Sequence, residues 1–330
     1  MTNLDIRPDE VHLPADPCRE VELVEPRNVP LGGIRAMTVR RTLPARGRPF
    51  IGSWCFLDHY GPDQVADTGG MNVPPHPHCG LATVSWLFRG EIEHRDSLGT
   101  HEFVLPGELN LMTAGRGIAH SEVSTPATTI LHGVQLWLAL PPDRRSIEPA
   151  FLHDATPERV DGGVSWRVFM GELGGEASAV SWPAPTVGAE VSLPGGASTD
   201  VALEREFEHG VLVDTGDVEV NGMSVAPGTL VALPIGTERL RLRAGRPGAR
   251  VLLIGGTPMG ADLVMWWNFV GGSHEEIVEA RATWQAEIGA EPGAPAAERT
   301  GRRFGAVLGY DGAALPAPRL PGGRLKPRRP

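Results

Sequence analysis

The stretch "NVPPHPHCGLATVSWLF", Asn72 to Phe88, places His76 and His78 on either side of Pro77, just ahead of an alternating apolar run. Residues at i and i+2 of an extended segment project to one face. Pro77 enforces that geometry, because it fixes its own φ and pushes the preceding residue out of the helical region. The two imidazoles therefore stand side by side as a stiff bidentate claw. A second i, i+2 pair follows in "GRGIAHSEV", where His120 and Glu122 share a strand face and Ser121 points away. Across neighbouring strands the two pairs can face each other. Three imidazoles and one carboxylate suit Fe(II), Mn, Ni, Cu or Zn, and a six-coordinate ion keeps positions open for water or substrate. Glu122 is also the candidate general base.

The elements that must carry these residues are short. From Met37 to Leu140, alternating runs such as "TVSWLF", "EIEHR", "HEFVL", "LNLMTA" and "GVQLWLAL" are separated by Gly and Pro-Gly turns. That spacing predicts an all-β barrel or sandwich. A second β region spans about 164 to 258 and echoes the first. "DTGDVEV" around Gly216 lies 126 residues after "FRGEIEH" around Gly90, and the Pro-Gly turn at Pro227 lies 121 residues after that at Pro106. The matching offsets put Ala202 and Glu204 at the positions of His76 and His78, and Arg241 and Arg243 at those of His120 and Glu122. No ligand set survives in the second copy, which predicts one divalent metal per chain.

The expected organisation is a metal-binding barrel over 1–140 with its core at about 30–140, a Pro-rich linker over 141–163, and a degenerate barrel with a helix over 164–288. A Gly/Pro/Arg-rich irregular arm over 289–330 completes the chain. Ser273 with Glu276 forms a capping box for the one expected helix, with Ile277, Trp284 and Ile288 at helical spacing. Trp266 and Trp267 are expected at the seam between the barrels. Gly80, Gly115 and Gly117 around the claw point to an open barrel mouth. His94 and His101 are the reserve ligand candidates, but their i+2 partners, Asp96 and Phe103, are not expected to form a further claw. Cys79 is read as a small buried space-filler.

Length and charge bound the function. A chain of 330 residues can bury two ordinary cores. A net charge of −10 disfavours direct nucleic-acid binding, which needs a basic face, and the arginines of the tail read as a solvated basic arm. Three cysteines make no disulfide framework. No apolar run reaches about 18 residues and the N-terminus has no apolar signal core, so the expectation is a cytoplasmic monomer without a membrane segment.

The strings "FLDHYGP", "HPHCGLATVSWLFRG", "HRDSLG", "LPGELNLMTAGRGIAHSE", "GVQLWLALP" and the helical "SHEEI" together resemble the pirin family of double cupins, over most of residues 30–290. The resemblance implies two stacked β-barrels (a bicupin) with one iron in the N-terminal barrel. Carried over, its ligands fall on His76, His78, His120 and Glu122. Several bacterial pirins resemble quercetinases, metal-dependent 2,3-dioxygenases that open a flavonol ring with dioxygen and release carbon monoxide. Others act as iron-dependent, redox-sensitive partners of transcription factors or metabolic enzymes. Two departures stand out: no acid follows the His-x-His pair until Glu91, and Cys79 stands where many pirins carry arginine.

Overall fold

The computed structural model describes residues 11–13, 21–31, 37–290 and 301–325. Each half of the chain makes one large and one small antiparallel sheet. In the first half the large sheet runs Ala150–Ala155, Glu108–Thr113, Leu81–Arg89, Ile130–Ala139, Trp54–Gln64, Met37–Leu43, Arg27–Leu31. The second runs Glu22–Val24, Leu230–Leu233, Glu208–Thr215, Ala249–Gly256, Thr186–Leu193, Val164–Met170, Arg159–Asp161. The order is the same strand for strand. The small sheets correspond likewise, Asn72–His78, Ile118–Ser124, Ile92–Asp96, His101–Val104 against Ser198–Ala202, Arg239–Ala244, Val218–Val220, Met223–Val225.

Three edge strands cross the expected boundaries. Glu22–Val24 pairs with Leu230–Leu233 in the second barrel. Inside the stretch read as a linker, Ala150–Ala155 pairs with Glu108–Thr113 in the first barrel and Arg159–Asp161 with Val164–Met170 in the second. An unpaired edge leaves backbone donors and acceptors open, and each of these strands closes one. The two large sheets pack face to face. Leu57, Val84, Trp86 and Leu136 of the first meet Leu212, Leu230, Leu252 and Ile254 of the second in one apolar layer.

The two interiors differ in kind. The second barrel is filled by aliphatic side chains, among them Val201, Leu203, Val218, Val220, Leu240 and Leu242. Arg241 and Arg243 lie on the exposed face of their strand, where they pair with Asp200 and Glu219. The offsets from the sequence are thus one residue out of register, and a one-residue slip exchanges the two faces of a strand. The inward positions are Val201, Leu203, Leu240 and Leu242, so the ligand set is lost to aliphatic packing and not to arginine.

The helix forms over His274–Glu287, with Ser273 as its cap accepting from the Glu276 N–H at 3.3 Å. Trp266 and Trp267 pack under it with Phe269, Ile277, Trp284 and Phe304, away from the inter-barrel seam. Over 301–325 the arm is irregular as expected, yet it is fastened to the helix. The Trp284 N–H donates to Leu315 O, Gln285 Oε1 accepts from Ala317 N, and buried Glu287 accepts from Arg303, Phe304 and Gly305 N–H. Removing the acceptor leaves those amides unmet, at a cost of roughly 1–3 kcal/mol. Glu287→Ala should therefore lower the melting temperature and expose Arg302–Arg303 to trypsin. A wild-type digestion pattern would show that the carboxylate does not hold the arm.

Candidate metal centre

His76 and His78 lie on Asn72–His78, an edge strand paired to Ile118–Ser124 with His76 opposite His120. The imidazole centroids are 5.0 Å apart for His76–His78, 4.3 Å for His76–His120 and 5.0 Å for His78–His120. All three rings are fully buried. The His76 Nδ1–H donates to Pro74 O at 2.8 Å, which leaves Nε2 as the lone-pair nitrogen. His76 Nε2 and His120 Nε2 have no hydrogen-bond partner, and His78 keeps at least one ring nitrogen without one. Buried polar atoms are nearly always paired, so one unpaired nitrogen from each of three adjoining rings fits an ion between them. The three side chains form a group whose ligand atoms lie within 4.8 Å of one another.

Burial sets the protonation. Desolvation lowers His76 to about 3 and holds His78 and His120 well below the ordinary value, reinforced by the neighbouring imidazoles. The rings are therefore neutral, the form a metal requires.

Glu122, fully buried, stands to one side. It forms a second group with His120 and His94 and is not part of the three-histidine group. Ser85 Oγ donates to Glu122 Oε1 at 3.2 Å and lies 2.9 Å from Gln135 Oε1. Deeper in the barrel, Arg41 Nε and Nη2 donate to the two oxygens of buried Asp58 at 2.6 and 2.8 Å. The first barrel is thus polar where the second is aliphatic.

The reserve candidates separate. His101 is exposed and bonds Glu93 at the surface, whereas His94 is buried beside His120, with ring nitrogens 3.4 Å apart. Its partner Asp96 is buried too, so Ile92–Asp96 contributes a third inward i, i+2 pair. The sequence signal was present in "HRD", and only strand register shows that it faces the ligands. Cys79 is buried, and desolvation pushes its thiol up to about 11, which suits a space-filler and not a reactive thiolate. The glycines serve close packing, since a Cβ at Gly80 or Gly115 would sit 2.0 Å from the Val270 or Ile147 carbonyl and Gly117 abuts Arg303 and Phe304. Gly80 and Gly115 also line a cavity of about 380 Å³ with Arg116, Arg145 and Arg303.

Sequence reasoning missed one cluster. His59 and His132 of the first barrel both reach Asp214 Oδ1 of the second, at 2.7 and 2.6 Å, and Arg250 Nε donates to Oδ2 at 2.6 Å. Arg40 lies over His59. This group also has metal-ligand composition. The carboxylate is already shared by two imidazoles and a guanidinium, so the arrangement is a satisfied inter-barrel hydrogen-bond network. Nothing in local sequence joins His59 to a residue 155 positions away.

A Pirin family model matches residues 36–138 and a Pirin C-terminal cupin domain model matches residues 188–288. The chain belongs to the pirin family. It is 41% identical over 91% of its length to a Pseudomonas aeruginosa protein named "Putative quercetin 2,3-dioxygenase", covering 91% of that protein. A pirin-like protein of Caulobacter vibrioides is 35% identical over 75% of the chain and 88% of its own length. A solved quercetin 2,3-dioxygenase structure from Acinetobacter baumannii superposes with a TM-score of 0.83 at 35% identity, covering 93% of this chain and 98% of that one. Among the described residues no helix is long and apolar enough to cross a membrane.

The pH dependence follows from the buried rings. Unfolded histidines bind protons near pH ~6.5, and folded His76 does so only near about 3. Below pH ~6.5 the unfolded chain binds more protons, so stability present above that value is lost as pH falls. Urea midpoints of metal-free protein should drop between about pH 8 and about pH 5, and less steeply in His76→Ala. Equal slopes in the two proteins would place the proton uptake elsewhere.

Proposed function

We propose that this pirin is a metal-dependent oxidoreductase of the quercetin 2,3-dioxygenase type, acting on a flavonol or a similar enolic or catecholic compound with dioxygen. The observation that carries the reading is the set of unpartnered, neutral, buried imidazole nitrogens beside a buried carboxylate. The name of the Acinetobacter structure and that of the Pseudomonas relative support the same class of reaction.

His76, His78 and His120 would hold one divalent ion, Fe(II) in the first instance, with Mn, Ni, Cu or Zn also matched by the donor set. Glu122 lies beside them, able to complete the ligand set or to receive a proton. The bound ion supplies a Lewis acid that makes an enolic hydroxyl easier to deprotonate. Glu122 takes that proton on a carboxylate oxygen as general base. Ser85 engages Oε1 and so holds the carboxylate plane. Full burial of all four side chains keeps bulk water from the reacting groups.

A second reading is an iron-dependent regulatory module that binds a transcription factor or metabolic enzyme without turnover. Full burial of the four residues is the observation that favours it.

Oxygen uptake separates the two. Metal-loaded protein should consume oxygen with quercetin, and chelation should abolish it. Glu122→Gln should slow turnover by about 100-fold or more, the usual reach of a general base. Fully metallated protein that consumes no oxygen across a flavonol and catechol panel would reject the enzyme. His76→Ala should lose most bound metal and keep the β-fold, and elemental analysis of the parent should find one ion per chain. Two ions per chain would reject the empty second barrel.

A further inference from the structure

The strand Ile92–Asp96 lies beside Ile118–Ser124 with Asp96 opposite His120 and His94 opposite Glu122. His94 Nδ1 is 3.4 Å from His120 Nδ1, and His94 Nε2 is 3.4 Å from Asp96 Oδ2. Both side chains are buried, and the His94 ring stacks on Phe151 at 4.7 Å. The other carboxylate oxygen of Asp96 accepts from Leu98 and Thr100 N–H at 2.9 and 3.0 Å.

The proton positions follow from donor and acceptor counting. His120 Nε2 lacks a partner and lies in the three-histidine group, so its lone pair belongs there and its proton sits on Nδ1. That N–H can only donate to His94 Nδ1, which must then be bare. The His94 proton is therefore on Nε2, where it donates to Asp96. One directed chain results, from His120 through His94 to Asp96. An ion on Nε2 makes the His120 Nδ1–H a stronger donor, so loading tightens the chain.

We propose that His94 is a positioning residue that holds His120 in the tautomer and orientation a metal ion needs, and that Asp96 in turn fixes the tautomer of His94. The proposal rests on the three-histidine reading of the metal centre. It assigns His94 a supporting role and not a ligand's, because His94 faces Nδ1 of His120 and not the unpartnered Nε2.

Asp96→Asn is the sharp test. The Leu98 and Thr100 amides require an oxygen, so the asparagine turns its NH2 toward His94. His94 Nε2 must then accept, its proton moves to Nδ1, and two N–H groups confront each other between His94 and His120. An isosteric change thus disables the support. Nickel(II) affinity of the full chain, measured by competition with a chelator, should weaken by about 10–100-fold in Asp96→Asn, as is usual for lost outer partners of a ligand. His94→Phe, which keeps the stack on Phe151, should weaken it similarly. His94→Gln, which can accept from His120 and donate to Asp96, should recover part of the loss. The visible spectrum of the cobalt(II)-loaded protein should change in Asp96→Asn and His94→Phe and move back toward the parent in His94→Gln. Wild-type nickel affinity in folded Asp96→Asn, or glutamine no better than phenylalanine at position 94, overturns the proposal. A parent chain that binds no nickel is a different result and overturns the metal centre itself.

Discussion

Three buried imidazoles, each with a ring nitrogen that lacks a partner, are the constraint on which the rest of this structure depends. Leaving each one unmet costs about 1–3 kcal/mol, and folding must tolerate that cost until an ion occupies the space. The tolerance is local. It is confined to the small sheet of the first barrel, while the apolar layer between the large sheets and the aliphatic filling of the second barrel stabilise the chain. Duplication makes this division possible: one copy keeps the polar interior, and the other supplies packing.

The same logic explains why Asn72–His78 is so rigid. Three prolines in seven residues remove backbone freedom before folding, and Pro74 O orients the His76 ring. The strand is an edge of its sheet, where prolines are tolerated. Its outer side is covered by the arm, with Leu315 N donating to Pro75 O at 2.8 Å and the Tyr310 hydroxyl to Asn72 Oδ1 at 2.9 Å. The C-terminal arm thus braces the ligand-bearing strand without contributing a ligand among the described residues.

Much of this was legible in residue order. Alternation, turn glycines and two i, i+2 pairs suffice for a β-barrel with His76, His78, His120 and Glu122 on inward faces. The capping box at Ser273 locates the helix to within a residue. What was not legible depends on register and on contacts distant in sequence. The one-residue slip in the second copy is invisible when a loop differs in length. Glu22–Val24 is too short to announce that it closes a barrel edge, and Ala150–Ala155 is exposed along most of its length, with no alternating apolar face to mark it as a strand. His94 stood level with His101 as a reserve candidate, and only the pairing of Ile92–Asp96 with Ile118–Ser124 turns His94 inward beside His120. The arm, rich in Gly and Pro, has no periodicity from which its attachment to Trp284 and Glu287 could be read.

Anomalous diffraction from crystals loaded with a single divalent metal tests the account most directly. The account predicts one peak per chain, between His76, His78 and His120 and within ligand distance of their unpartnered nitrogens, with none inside the second barrel. A peak at His59, His132 and Asp214 in its place would contradict it.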